Sequence, residues 1–100
     1  MLKKKYLKSK PVCKVTFYLP KDVGGEDVYL VGDFNDWRED ATPMEKLKDG
    51  RFKVTLNLET DHEYQFRYLV DGEWHNDWEA DRYVANSYGG DNSVVSTTER

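Results

Sequence analysis

Apolar residues recur at every second position in segment after segment of this chain and almost never at helical spacing, which predicts an all-β fold. In Cys13 to Leu19 the residues Cys13, Val15, Phe17 and Leu19 alternate with Lys14, Thr16 and Tyr18, giving a strand with one apolar and one mostly polar face that Pro20 ends. Gly24-Gly25 predicts a turn. Val28 to Phe34 reads as a central strand, apolar on both faces, with Gly32 marking a bulge or bend. Residues 35–46 are polar, contain Pro43 and lack a helical stripe, which predicts a long loop holding one short turn of helix. Arg51 to Leu58 is the cleanest strand, with Phe52, Val54, Leu56 and Leu58 inward, entered by a tight turn at Asp49-Gly50. Tyr64 to Val70 places Tyr64, Phe66, Tyr68 and Val70 on one face and Gln65, Arg67 and Leu69 on the other. Asp71-Gly72 then turns the chain into Glu73 to His75, which pairs back as a hairpin. The remainder reads as loop until a last β-branched strand, Ser93 to Thr97. About seven short antiparallel strands with turn signals between them predict an immunoglobulin-like β-sandwich, without the cysteine pair of antibody domains.

Composition narrows this further. One hundred residues with 38% hydrophobic content hold one domain and exclude a multidomain enzyme or a solenoid array. Residues 1–10 read as a lysine-rich, solvated tail and residues 11–100 as the single domain. The formal charge is −4, yet residues 1–14 carry six lysines and no acid, leaving nine basic against nineteen acidic residues in the rest. An acidic body repels phosphate backbones, so no nucleic-acid partner is expected unless that arm supplies it. No run of apolar residues is long enough to span a membrane and no signal-like segment follows the lysines; the expectation is a cytoplasmic protein with no membrane partner. The one cysteine, Cys13, shares the inward face of its strand with Val15 and Phe17, which makes it a structural thiol rather than a nucleophile.

The informative residues are aromatic side chains that the core does not claim: Trp37, Trp74, Trp78 and Tyr88 all fall in turns or at strand ends. An exposed indole implies that something covers it, a ligand, another chain or a folded-over loop, and its flat, electron-rich face suits the apolar C–H face of a sugar ring. Catalysis is not expected. Asp71, Glu73, Asp77, Glu79 and Asp81 form a dense acidic run, but a hairpin and its loop supply no dry cleft to hold a catalytic carboxylate pair. The run also lacks the glycine and the final glutamate of a calcium loop, since Asn76 and Arg82 stand at those positions. His62 and His75 have no paired zinc spacing. Neither a metal nor a cofactor is expected.

Three blocks, VYLVGDFNDW at 28–37, YQFRYLVDGEW at 64–74 and NSYGGDNSVV at 86–95, together resemble the family 48 carbohydrate-binding module. That family includes the N-terminal domains of isoamylases and glycogen-branching enzymes and the glycogen-binding domain of AMP-activated protein kinase β subunits. The resemblance spans roughly residues 12–97 and implies an immunoglobulin-like sandwich of the early-set type that binds α-1,4-linked glucan, such as glycogen or starch, in a shallow surface groove. It implies that Trp37 and Trp74 stack on glucose rings, that Arg67 stands where a lysine bonds sugar hydroxyls, and that Asn92 contacts sugar from the last loop. Tyr88 takes the place of a leucine that reaches into the sugar ring, Gly90 that of a threonine, and Trp78 that of a common proline. The expected partner is an α-glucan, with any glucan-processing enzyme on a separate chain. The alternative is a protein-interaction or structural module of the same fold, docking through the same tryptophans.

Overall fold

A computed structural model describes residues 2–20, 22–87 and 90–98. Nine strands, β1 (Leu2–Tyr6), β2 (Val12–Leu19), β3 (Val28–Gly32), β4 (Glu45–Lys46), β5 (Phe52–Glu59), β6 (Glu63–Val70), β7 (Glu73–His75), β8 (Arg82–Ala85) and β9 (Asp91–Ser96), form two antiparallel sheets. The first sheet has the order β1-β2-β5-β4; the second has the order β3-β6-β9-β8, with β7 also on β6. The alternation read from the sequence is what faces the two sheets toward each other. Cys13, Val15, Phe17 and Leu19 of β2 meet Leu30 of β3 and Phe66 and Tyr68 of β6 in one core cluster, and all seven are fully buried. Phe17 meets Phe66 edge-on at 5.1 Å between centroids and Phe66 meets Tyr68 at 5.7 Å, the geometry that ring quadrupoles favour. The fold is therefore the all-β sandwich that the periodicity predicts.

The differences lie where the pattern is short or polar. The lysine-rich start is not a solvated tail: Leu2–Tyr6 pairs with β2, Leu2 opposite Phe17 and Tyr6 opposite Cys13. Leu2 and Tyr6, on the same parity as Lys4, pack against the core, and the strand satisfies a β2 edge that would otherwise be open. The residues between the Glu73–His75 hairpin and the last strand are not all loop, because Arg82–Ala85 pairs with β9. Its exposed Arg-Tyr-Val-Ala stretch shows too little alternation to be read alone. Inside the expected loop 35–46, Glu45–Lys46 adds a two-residue strand to β5. The strand expected to reach Phe34 ends at Gly32, followed by a 3-10 turn over Asp33–Asn35.

Gly32 sits in extended backbone, and its requirement is space: a Cβ there would lie 2.5 Å from the Gln65 carbonyl oxygen. At the β6–β7 turn the need is conformational. Asp71 has φ 48° and Gly72 φ 84°, the positive pair of a type I′ hairpin. Asp71 also caps the backbone, its Oδ1 accepting from the N–H of Asp27 at 2.8 Å and of Glu26 at 3.1 Å. Among the described residues, no helix is long and apolar enough to cross a membrane.

Candidate functional site: a groove on the outer face of the second sheet

Because side chains alternate along a strand, the residues of β6 that do not enter the core, Gln65 and Arg67, stand side by side on the outer face of the second sheet. Trp74 of β7 pairs with Leu69 on the same parity, and Asn92 of β9 lies two residues before Val94, the partner of Gln65. Asn92 therefore projects from a strand, not from the last loop. Trp37 comes over from the segment after β3. Together these residues line a groove of ≈ 680 Å³, with Glu39, Asn86 and Ser87 also in its lining. Four of the five side chains singled out from sequence thus share one groove, whereas Tyr88 lies outside the described residues.

The G-D-F-N-D-W segment is built to present Trp37. Asn35 turns its side chain back, accepting from the Gly32 N–H at 3.0 Å and donating to the Leu30 carbonyl and the Thr42 hydroxyl, both at 2.9 Å. The Trp37 N–H closes the turn on the Gly32 carbonyl at 2.9 Å, and Asp36 and Trp37 both take φ 57°, the left-handed region. Aspartate tolerates that region, but tryptophan there carries a cost of about 1–2 kcal/mol. Asp33 offsets it by bridging two elements. One carboxylate oxygen accepts from the Trp37 indole N–H at 2.8 Å and the other from the Gln65 backbone N–H at 2.7 Å. The indole N–H is thereby satisfied within the protein, and the half-buried ring lines the groove.

On the opposite wall, Trp74 is 39% exposed, with the Arg67 guanidinium carbon 5.8 Å from its ring centroid, a cation–π contact. The Arg67 Nε is buried with no hydrogen-bond partner, which leaves the guanidinium a donor short of an acceptor. Between the walls runs an amide relay: Asn86 Nδ2 donates to Asn92 Oδ1 at 3.1 Å, and Asn92 Nδ2 donates to Gln65 Oε1 at 3.0 Å. Gln65, Asn86, Ser87 and Glu39 were not singled out from sequence. For Gln65 the signal was present, since it shares the outward parity of Arg67; the others reach the groove from loops whose path no periodicity reveals.

Trp78 belongs elsewhere. It is 49% exposed and lines a separate small cleft of ≈ 60 Å³ with Tyr18, Pro20 and Arg51. Three members of the acidic run, Asp71, Asp77 and Asp81, have structural roles. Asp77 is fully buried, accepting from the Tyr68 hydroxyl at 2.8 Å and the Glu79 N–H at 2.8 Å, while its own N–H donates to Ser93 Oγ at 2.9 Å. The Tyr83 hydroxyl donates to its carbonyl. Burial, reinforced by the Asp77 carboxyl, pushes the Tyr68 phenol well above its ordinary value. Asp81 accepts from Lys4 Nζ at 2.6 Å and from the Ser96 N–H at 2.7 Å, tying the edge of one sheet to the other.

The protein named Cruciform DNA-recognizing protein 1, from Saccharomyces cerevisiae strains RM11-1a, JAY291 and Lalvin EC1118 / Prise de mousse, is 39% identical to this chain over 62 residues. The match takes in 59% of this chain and 13% of that protein, so the chain spans a small part of the length of these relatives. A family profile described as the glycogen recognition site of AMP-activated protein kinase matches residues 14–100. The chain belongs to that family of carbohydrate-binding modules, of the family 48 type.

Proposed function

We propose that this chain binds an α-1,4-linked glucan without acting on it, in the groove between Trp37 and Trp74. The observation that carries the reading is the convergence of two indoles, one guanidinium with an unpartnered N–H and an amide relay on a single open groove. The indoles supply apolar stacking area; Arg67, Gln65 and Asn92 offer donors and acceptors to the ring hydroxyls. Each amide already has a partner, so a sugar hydroxyl exchanges one hydrogen bond for another instead of uncovering an unsatisfied group. An open groove covers only part of each sugar, so a short oligosaccharide binds with about −4 to −7 kcal/mol. A polymer gains by multivalency. The name of the yeast relative speaks of DNA, but this groove suits phosphates poorly: its lining has one cation, Arg67, and a carboxylate, Glu39.

The test is a titration with maltoheptaose followed through the indole N–H resonances. Saturable shifts at Trp37 and Trp74 with none at Trp78 are expected, and Trp37→Ala is expected to weaken binding at least about thirtyfold while the protein stays folded. A Trp37→Ala protein that binds at full strength would refute the site. No shift at millimolar sugar would make the groove a docking surface for protein.

A further inference from the structure

The outer face of the first sheet carries a second, differently built surface. The residues of β2 that do not enter the core are Val12, at its start, and Lys14, Thr16 and Tyr18; across the ladders the last three stand opposite Lys5 and Lys3 of β1 and Asn57, Thr55 and Lys53 of β5. Lys3, Lys5 and Lys14 are exposed, and among the described residues none of these three nor Lys53 takes part in a salt bridge. Two carboxylates share this parity: Glu45, on the edge strand β4, stands directly opposite Lys53, and Glu59, opposite Val12, lies at the far end of β5. Lys5 and Lys14 are direct cross-strand partners, an arrangement that destabilises a sheet unless an anion lies over it. In a chain of net charge −4, this is a concentrated patch of the opposite sign.

Aromatic groups flank the same patch. The Tyr18 ring has Lys3 Nζ 5.7 Å and the Arg51 guanidinium carbon 5.2 Å from its centroid, and Trp78 meets Tyr18, Pro20 and Arg51 in the small cleft at that end. The Thr16 and Thr55 hydroxyls, 3.0 Å apart, lie between the lysine rows. Lysines that reach phosphates, hydroxyls that bond them and an exposed indole on which a base stacks are the combination that single-stranded nucleic acid requires. An acidic peptide would use the lysines but not the indole. A stacked duplex offers the indole no free base face.

We propose that the outer face of the first sheet binds single-stranded nucleic acid, its phosphates on Lys3, Lys5, Lys14 and Lys53 and a base on Trp78. The surface is separate from the sugar groove and does not depend on it.

The test is fluorescence anisotropy of a labelled oligothymidylate at low salt, beside the corresponding duplex and poly-L-glutamate. Saturable binding is expected for the single strand, tighter than for either competitor, and weakening with salt. Replacing all four lysines by Gln is expected to lower the affinity at least tenfold and to flatten the dependence on log salt by about 0.7 for every phosphate that is no longer neutralised. Trp78→Ala is expected to cost about fivefold or more with the salt dependence unchanged. Trp74→Ala is expected to leave oligothymidylate binding intact while abolishing maltoheptaose binding, which keeps the two surfaces distinguishable. No saturable binding, equal binding of polyglutamate, equal or tighter binding of duplex, or loss of oligothymidylate binding on Trp74→Ala would each overturn the proposal. The replaced side chains are exposed or half-buried at the surface, and a thermal melt of each variant separates lost binding from lost fold.

Discussion

The two sheets share an inner pattern of alternating apolar residues and differ almost completely on their outer faces. On the second sheet, Val31 and Val94 have outward parity and lie outside the main core cluster, yet they are 0% and 1% exposed. Chain covers that face, and the cover leaves a walled groove of amides, indoles and one guanidinium. The first sheet's outer face is bare: lysines and threonines on the strands, with Tyr18 and Trp78 at one end. A walled face recognises by shape and hydrogen bonds, which salt hardly screens; a bare charged face recognises by field, which salt screens within about 10 Å at 0.1 M. One scaffold thus presents two outer faces of different chemistry, and the two proposed ligands differ accordingly.

The variant expected to break both faces together is Asp77→Ala. The buried Tyr68 hydroxyl and the Glu79 N–H lose their acceptor, costing about 3 kcal/mol. A melt by circular dichroism reads the loss. The same pair gives an alkaline limit. The phenol of the unfolded chain ionises near 10.0 while the folded one keeps its proton to higher pH. Its contribution is whole below that value and disappears as the pH rises through the folded one, so the melting temperature falls above about pH 10. Gly32→Ala should act on the groove side first. Its methyl group would meet the Gln65 carbonyl, at a cost of roughly 1–3 kcal/mol, and the shift should broaden the Trp37 indole resonance while leaving Lys14 amide shifts in place. Asn92→Ala removes the middle of the amide relay and should weaken maltoheptaose about fivefold, near 1 kcal/mol, without altering stability beyond a few tenths. The smallest effect sharpens the contrast most. Lys14→Glu turns the Lys5–Lys14 repulsion into attraction and should stabilise the fold by about 0.2–1 kcal/mol at low salt, a gain that added salt erases. A bare face whose charges oppose folding is one that something other than folding maintains.

How far the sequence speaks depends on whether a residue's place follows from periodicity. The inward sets of β2, β5 and β6, the Asp71-Gly72 hairpin and the outward direction of Arg67 all follow from a period of two and from turn chemistry, and the structure has them so. Strand β1 was hidden because Lys4 occupies the inward position between Leu2 and Tyr6 and breaks the alternation, so the strand shows only once β2 offers an edge. Strand β8 has one half-buried residue, Val84, and owes its existence to β9. In the groove, Trp37, Trp74, Arg67 and Asn92 were reachable through motif blocks, but the reason Trp37 arrives there is tertiary. It depends on Asp33, whose partners are four and thirty-two residues away.

That aspartate has a consequence for rates. With both carboxylate oxygens engaged, one by the indole and one by a strand amide, the segment bearing Trp37 is already tied to β6 before a ligand arrives. Association should then proceed in one fast phase, without a slow closing step. Ligands that differ in fit would share an on-rate and separate by how long they stay.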